Sequence, residues 1–303
     1  MNLEHAEKIS VIVPACNAEP YISRCLDSLL RNTLVPSEII VVDDHSEDGT
    51  AVAVEAHKNR IVKLVRMGSR DGAGAARNRG IAVATGTLLF FLDSDCMAAQ
   101  DWIERGVEAF RNSEIVGVFG AIYYETIPTQ IREKIPVNPF YHSPLVNPVN
   151  GRFPDFAAGN VAYRAEIARR LDGFDTRLFK NGREDTDFAL RALQFGRVVY
   201  QPQMKVTHSS GTWTWGQLRA SAKRYQSDVI FFGKYQKFAF CRGRVLHPKM
   251  LLLALFPLAI PVVYGRWLRS LKDWLFLPFL WLYFLLVRWN IFVAAVRERV
   301  VVF

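Results

Sequence analysis

The sequence predicts an α/β fold built on a mainly parallel sheet flanked by helices. Short apolar runs typical of buried strands recur through the first ninety residues, and segments with helical spacing separate them. The predicted strands are residues 9–14, 38–42, 61–66 and 87–92, and the predicted helices are 21–30, 50–58 and 74–84. Strands that alternate with helices at this spacing form βαβ units, and such sheets bind ligands at the carboxyl ends of their strands.

Beyond these elements the same alternation continues. Residues 101–111 predict a helix and residues 115–123 predict a strand. Six prolines between residues 126 and 156 predict a long loop, which we interpret as a flap over a site. Regular structure is expected to resume near Gly159.

The charge of the chain is unevenly distributed. The 303 residues carry a net charge of +9, which by itself suggests nucleic-acid binding. However, residues 1–204 carry 23 basic and 26 acidic side chains, so the excess positive charge lies in the last hundred residues. A mildly acidic main part argues against nucleic acid as the partner.

The four cysteines stand alone in the sequence, at positions 16, 25, 96 and 241. Without a Cys-x-x-Cys pair or a His/Cys cluster, they support neither a zinc site nor a disulfide framework. Unpaired thiols suit a reducing compartment. The first ten residues contain no apolar leader, so we expect the main domain to lie in the cytoplasm.

The C-terminal segment, residues 245–303, is apolar and rich in tryptophan. Residues 250–264 and 274–287 are two uncharged runs, each shorter than the roughly 20 residues that span a bilayer. Snorkelling arginines extend the runs to about residues 268 and 296. We interpret the segment as a membrane-associated helical hairpin, either two short spans or a re-entrant or interfacial pair. The alternative is a buried helical hairpin in a soluble domain.

Residues 211–244 interleave aromatic and basic side chains between the main domain and this hairpin. Such a composition favours a helix that lies on an anionic membrane surface. The alternative is the solvated basic face of an ordinary helix. The predicted organisation is therefore a catalytic domain over 1–240, with a nucleotide-binding half over 1–110 and an acceptor half over 111–210, followed by the hairpin.

Asp93-Ser94-Asp95 is the first candidate for chemistry. Two carboxylates directly after a buried strand can hold a hard divalent cation, Mg²⁺ or Mn²⁺. About one Asp-x-Asp is expected by chance in a chain of this length, and Asp185-Thr186-Asp187 is a second one here. The position of Asp93 and Asp95 at the end of a buried strand favours the first motif as the metal site. The alternative is that the two acids form a turn or cap a helix.

Two further groups of residues suit a nucleotide. Asp44 follows the second strand and can accept hydrogen bonds from a base or a ribose, whereas Ser46 or Asp48 can cap the next helix. The segment from Gly72 to Arg77 partly matches the dinucleotide fingerprint, but that fingerprint requires glycine where Arg77 stands. A cation at the head of a helix suits a phosphate or nucleotide instead.

Acidic residues also open a predicted helix after Arg183. Glu184 and Asp185 are favourable there with the helix dipole, and a carboxylate in this place can also act as a general base on a hydroxyl. His208 follows another apolar run. A lone histidine is usually structural, but a cation held by Asp93 and Asp95 needs more ligands.

Together these motifs resemble the family 2 glycosyltransferases, inverting enzymes with the GT-A fold. The resemblance runs in order from about residue 8 to residue 210, and the linked motifs make it specific. The segments that carry it are Val11-Ile12-Val13-Pro14-Ala15-Cys16-Asn17, Val41-Val42-Asp43-Asp44-His45-Ser46, Asp48-Gly49-Thr50, Ala75-Ala76-Arg77-Asn78-Arg79-Gly80, Phe91-Leu92-Asp93-Ser94-Asp95, Gly159-Asn160, Gly173-Phe174-Asp175 and Glu184-Asp185.

The resemblance implies a role for each site residue. It assigns Asp185 as the catalytic base, with Gly159, Asn160 and Glu184 on the acceptor side. It implies a divalent cation, Mg²⁺ or Mn²⁺, held by Asp95 and His208. It places the nucleotide-diphosphate sugar donor near Pro14, Asp44, Arg77 and Asp93.

Two departures from the family pattern narrow the expectation. Arg183 stands where the family often has glycine before Glu-Asp, and Lys223-Arg224-Tyr225 is the nearest approach to the Gln-x-x-Arg-Trp motif of processive synthases. A long-chain polymerase is therefore disfavoured. The expected activity is sugar transfer to a lipid-linked or cell-envelope glycan at the cytoplasmic face of an anionic membrane. A polyprenyl-phosphate sugar synthase and an inactive nucleotide-sugar-binding scaffold remain as alternatives.

Overall fold

The computed structural model describes most of the chain. The described residues are 7–57, 59–124, 158–177, 182–209, 215–235, 241–242, 244–264, 274–275 and 277–302. They fall into two compact units. The first unit comprises Met1–Glu125, Pro154–Lys180 and Glu184–Ser209, and the second comprises Thr126–Phe153, Asn181–Arg183 and Ser210–Phe303. The predicted loop over 126–156 lies outside the described residues.

The first unit is built on an eight-stranded sheet. Its strands are β1 (Ile9–Ala15), β2 (Glu38–Asp43), β3 (Val62–Arg66), β4 (Leu88–Leu92), β5 (Cys96–Ala98), β6 (Ile115–Tyr124), β7 (Asn160–Arg164) and β8 (Arg197–His208). The order across the sheet is β3-β2-β1-β4-β7-β6-β8-β5.

Both parallel and antiparallel pairings occur in this sheet. Strands β3, β2, β1 and β4 form a parallel block, as the alternating pattern predicts. Strand β7 is antiparallel to β4 and β6, whereas β6 and β8 run parallel. Strand β5 has three residues and pairs antiparallel with the end of β8. The predicted α/β sheet with flanking helices is confirmed.

Helices cover both faces of the sheet. In the first unit they are α1 (Glu19–Leu30), α2 (Thr50–Ala56), α3 (Ala73–Val83), α4 (Trp102–Ala109), α5 (Ala165–Arg170) and α6 (Glu184–Ala192). Val11 and Val13 pack into the core on one face, and Ile12 packs into the core on the other. Because strands buried on both faces need apolar residues at every position, they read as continuous apolar runs.

The second unit is helical in its described part. It contains α7 (Trp215–Arg224), α8 (Gln226–Tyr235), α9 (Pro248–Leu255), α10 (Ala259–Tyr264) and α11 (Leu277–Glu298), with a hairpin of β9 (Cys241–Arg242) and β10 (Val245–Leu246). The apolar run 250–264 is interrupted at Phe256, so it forms two helices of eight and six residues. An eight-residue helix is about 12 Å long, which is too short to cross a bilayer. Two short helices are compatible with the re-entrant or interfacial pair named above, and the membrane-associated hairpin stays a prediction.

The second apolar run lies mostly in α11. With 22 residues, it is one helix among the described residues that is long and apolar enough to cross a membrane, judged by length and composition. A third of its most apolar window is buried inside the protein.

Candidate active site

Asp95 and His208 meet at one edge of the sheet. Asp95 directly precedes β5, His208 ends β8, and the pairing of these strands sets Cys96 opposite His208. The His208 Nε2 atom lies 3.3 Å from an Asp95 carboxylate oxygen, and both side chains are about a third exposed. The other ring nitrogen, Nδ1, lies 2.9 Å from the Ser209 carbonyl. With Nδ1 protonated to donate to that carbonyl, Nε2 presents a lone pair to the carboxylate, an arrangement that a shared cation or proton stabilises.

Cys96 completes a group of three side chains whose ligand atoms lie within 4.8 Å of one another. Its thiol is buried, and burial with the nearby charges of Asp93 and Asp95 raises the pKa of Cys96 well above its ordinary value. The buried thiol thus favours its protonated form, and hard cations such as Mg²⁺ and Mn²⁺ prefer oxygen donors to sulfur. The remaining donors are a carboxylate oxygen and an imidazole nitrogen, which fit Mn²⁺ and also allow Mg²⁺.

The Asp95 carboxylate lies close to a second acid, Asp93. Burial raises the pKa of Asp95, and Asp93 raises it further, whereas His208 lowers it; the net shift is upward. An upward shift means that the ionised carboxylate is destabilised in the protein. A divalent cation would remove this penalty.

Arg77 links the strand-end carboxylate to the opening of α6. Its guanidinium is 5% exposed and donates to Asp93 at 2.7 Å and to Glu184 at 3.1 Å. Burial lowers the pKa of Arg77, but Asp93 and Glu184 raise it, and the net shift is upward. Its plane also lies over the Phe174 ring, 5.6 Å from the centroid. The structure thus gives Arg77 a bridging role, while its predicted contact with the donor stays a prediction.

Two buried polar atoms of this bridge make no hydrogen bond among the described residues. They are Arg77 Nε and Glu184 Oε2. Buried polar atoms are normally satisfied, so these two are available to a bound ligand or to water. The resemblance assigns Glu184 to the acceptor side, and that assignment stays a prediction.

Gly159 allows Asp93 to occupy its position. A Cβ atom added at Gly159 would lie 2.6 Å from an Asp93 carboxylate oxygen, so only glycine gives the carboxylate this room. The neighbouring Asn160 is fully buried. Its oxygen accepts from the Trp102 indole at 2.8 Å, and its Nδ2 donates to two backbone carbonyls, each at 2.8 Å. The Asn160 side chain therefore holds β7 in place, and the assignment of Asn160 to the acceptor side stays a prediction.

Asp185 is oriented by the segment that leads into β7. One carboxylate oxygen accepts from the Ala158 backbone N–H at 3.2 Å, and the other accepts from the Thr186 N–H at 2.7 Å. The candidate base is thus fixed beside Gly159, which in turn contacts Asp93. The second acid of the same motif, Asp187, is fully buried and pairs with Arg191 at 2.7 Å. This buried pair, four residues apart on α6, gives Asp187 a structural role.

The predicted nucleotide side is organised by Asp44. Its two carboxylate oxygens accept from the backbone N–H groups of Asp71 and Gly72, each at 2.8 Å, so it shapes the loop that leads into α3. Gly72 has a φ of +93°, which glycine adopts without strain. Pro14 is buried on β1 beside β2. The predicted donor contacts of Pro14 and Asp44 stay predictions.

The glycine that allows close packing of helix α3 is Gly80. A Cβ there would overlap the Ile12 side chain on β1. The dinucleotide fingerprint places this packing glycine where Arg77 stands. In α3 the close helix–strand contact is therefore made at Gly80, and Arg77 instead pairs with Asp93 and Glu184.

The family model described as "Glycosyl transferase family 2" matches residues 10–172, more than half of the chain. The "Uncharacterized glycosyltransferase EpsJ" of Bacillus subtilis (strain 168) is 35% identical over 39% of this chain and 34% of its own length. The "UDP-Glc:alpha-D-GlcNAc-diphosphoundecaprenol beta-1,3-glucosyltransferase WfgD" of Escherichia coli is 32% identical over 37% of this chain and 44% of its own length. These matches span between a third and a half of each relative.

Solved structures show the same fold. The mannosyltransferase PcManGT from Pyrobaculum calidifontis, in complex with GDP-Man and Mn²⁺, superposes with a TM-score of 0.59 at 21% identity, covering 95% of this chain and 88% of its own. At this identity the likeness shows the GT-A fold that the resemblance implied. The matched segment includes the Asp93 and Asp95 motif as well as Gly159, and this chain belongs to glycosyltransferase family 2.

Proposed function

We propose that this chain transfers a sugar from a nucleotide-diphosphate donor to a hydroxyl of a lipid-linked or cell-envelope glycan, with inversion and with a divalent cation. One observation carries the proposal: Asp95 and His208 form an open carboxylate and imidazole pair, 3.3 Å apart, at the strand ends that also carry Asp93. The name of the WfgD relative supports a lipid-linked acceptor. The GDP-Man and Mn²⁺ bound to PcManGT support the donor class and the cation.

Asp95 and His208 would hold the cation, since their oxygen and nitrogen donors fit it and the Cys96 thiol does not. When bound, the cation offsets the negative charge that develops on the departing diphosphate. The protein's own residues do the rest of the positioning. Arg77 fixes Asp93 from one side, and Gly159 leaves the room that this carboxylate needs.

Asp185 acts as the general base. It takes the proton from the acceptor hydroxyl while that oxygen attacks the anomeric carbon, and the bond to the diphosphate breaks on the opposite face. Its hydrogen bonds to Ala158 and Thr186 hold the carboxylate in one orientation. Such fixed placement is what makes proton transfer effective.

The proposal is tested first by donor binding. Nucleotide sugars are screened for thermal stabilisation with and without Mn²⁺, because a ligand that binds the native state raises its melting temperature. We expect one donor class to stabilise the protein, with a larger shift when Mn²⁺ is present. A chain that no donor stabilises would contradict the proposal.

The base is tested with Asp185→Asn. We expect transfer to a hydroxyl acceptor to fall by about 10²- to 10⁴-fold while donor binding survives. Asp172→Asn is the matched control, because Asp172 is exposed and its φ of +55° suits asparagine. Unchanged transfer by the Asp185 variant would contradict the assignment. Normal turnover of that variant on polyprenyl phosphate would identify a polyprenyl-phosphate sugar synthase, and donor binding without turnover in the native chain would identify a scaffold.

We also propose that the enzyme works at the cytoplasmic face of the membrane, with its catalytic domain in the cytoplasm. The apolar helix α11 and the positive charge of residues 205–303 support association with an anionic bilayer. Fractionation of the full chain and of a chain lacking residues 245–303 tests the membrane association, since the truncated form should move toward the soluble fraction.

A further inference from the structure

Helix α11 has two different apolar faces. One face is buried against α7, α8 and α9, and its members are Tyr283, Phe284, Val287, Ile291 and Ala294. The opposite face is an exposed stripe at helical spacing. Its members are between 38% and 63% exposed: Phe279, Leu282, Leu285, Trp289, Phe292 and Val296.

Polar contacts at and beside the buried face also join α11 to its neighbours. Tyr283 and Ser221 of α7 lie 3.2 Å apart through their hydroxyls, and Asn290 accepts from Gln226 of α8 at 2.8 Å. Arg288 donates to the Leu246 carbonyl at 2.7 Å. These contacts fix α11 beside α7 and α8 along the middle of its length.

That arrangement determines how α11 can meet a bilayer. If α11 crossed the membrane, its midpoint near Arg288 would lie at the centre of a hydrocarbon layer about 30 Å thick. Asn290 is about 3 Å along the axis from that midpoint, so it would lie near the centre of the bilayer together with its partner Gln226. The exposed Lys223 and Arg224 closely precede Gln226 in sequence, so these charges would be drawn toward the same depth. A charged side chain at this depth costs about 2.5–3.5 kcal/mol or more.

A helix that lies in the plane of the membrane avoids this cost. The stripe then enters the acyl region of one leaflet. Residues 205–303 carry a net charge of +12, which complements anionic lipid and would repel a second copy of the same surface. Trp289, 62% exposed, is a residue type that favours the interface.

From this geometry we propose that α11 is a monotopic anchor: its exposed stripe inserts into one leaflet of an anionic bilayer, and the helix does not cross it. The proposal deepens the membrane association proposed above and replaces the spanning hairpin with an in-plane helix. Its test contains neither donor nor acceptor, so its outcome is independent of sugar transfer.

Binding is measured by flotation of the full-length chain with phosphatidylcholine vesicles, with and without phosphatidylglycerol. We expect binding to the anionic vesicles, weakened about tenfold or more in Trp289→Ser/Phe292→Ser, because both rings lose apolar burial. Val52→Ser/Leu193→Ser is the control, since these exposed apolar residues lie in the first unit. Equal binding of the two double variants, or no binding by the native chain, would overturn the proposal. A concentration-dependent dimer would then assign the stripe to a second copy.

Orientation is measured on chains already bound to sealed vesicles. Single cysteines replace Leu275, before α11, and Val301, after it; both residues are exposed. An impermeant maleimide added outside should label both positions, above the background of the native chain. Protection of one position with labelling of the other would show a crossing helix and would overturn the proposal.

Discussion

The two units of the molecule use apolar and charged residues in opposite ways. In the first unit every residue of β1 is buried, and the charged groups of the site are paired with one another, as Arg77 is with Asp93 and Glu184. In the second unit α11 buries one apolar face and exposes another. The first unit thus holds its carboxylates at fixed positions, whereas the second leaves an apolar helix face exposed, as the proposed membrane anchor requires.

Two phenylalanines on α11 test the difference between its buried and exposed faces most directly. Phe284 is fully buried and Phe292 is 58% exposed. We expect Phe284→Ala to lower the free energy of unfolding by about 3–5 kcal/mol, because it leaves a cavity. Phe292→Ala should change it by about 0.5 kcal/mol or less in solution. Urea unfolding measures both, and an equal loss for the two variants would mean that the exposed face is covered in the folded protein.

The bridge in the first unit should be nearly as costly to break. Arg77→Met removes the guanidinium that joins Asp93 and Glu184, and it leaves both carboxylates without a positively charged partner. We expect the free energy of unfolding to fall by about 3 kcal/mol, the lower end for a broken buried pair, since Asp93 is partly exposed. Arg79→Met is the control on the same helix, because Arg79 is exposed. Similar thermal melts for the two variants would contradict the bridging role.

Glu38 lies at the amino end of β2, whereas the candidate site lies at the carboxyl ends of strands. At the amino end, Glu38 accepts from Ser10 at 2.6 Å, from Lys63 at 2.6 Å and from Thr85 at 2.7 Å. Burial raises the pKa of Glu38, but these hydrogen bonds outweigh it and lower the pKa to about 2. The carboxylate thus stabilises the fold above its unfolded pKa of about 4.5, by about 3 kcal/mol.

This stabilisation should disappear as the pH falls from about 4.5 toward 2, because protonation then removes the charge that the native state favours. Glu38→Gln should therefore be less stable than the native chain at pH 7, and the gap should narrow below pH 4.5. Urea unfolding across this range checks the sign. A gap that does not change with pH would contradict the assigned cause.

Much of the first unit could be predicted from sequence because its strands are buried on both faces. Strands β1, β2 and β4 stand out as apolar runs, and the carboxyl ends of β2 and β4 carry acids that the structure brings to one edge. The three-residue strand β5 could not be found, since its existence depends on pairing with β8, a hundred residues later. Pairing over such a distance leaves no local pattern.

The second unit was harder to predict for a physical reason. Apolar composition identifies a run such as 250–264 but does not show where Phe256 interrupts it. Composition also does not distinguish the face of α11 that packs against α7 and α8 from the face that stays exposed. Partners such as Gln226 for Asn290 are fixed by tertiary contacts alone.

The role of Gly159 illustrates the same limit within the site, and it gives the last prediction. The family motif identified the residue, but the structure supplies the reason for it: a Cβ there would overlap the Asp93 carboxylate at 2.6 Å. When the partly exposed Asp93 carboxylate moves away, Arg77 keeps its pair with Glu184, so Gly159→Ala should lower stability by less than Arg77→Met does, about 1.5 kcal/mol or less. Sugar transfer should fall about a hundredfold, because Asp93 leaves its place between Arg77 and the cation ligands. Gly68→Ala is the control, since a Cβ at Gly68 meets nothing within 4 Å. Full activity of Gly159→Ala would show that Asp93 tolerates displacement, and the contrast between a fixed catalytic unit and an exposed anchoring unit would then lose its main support.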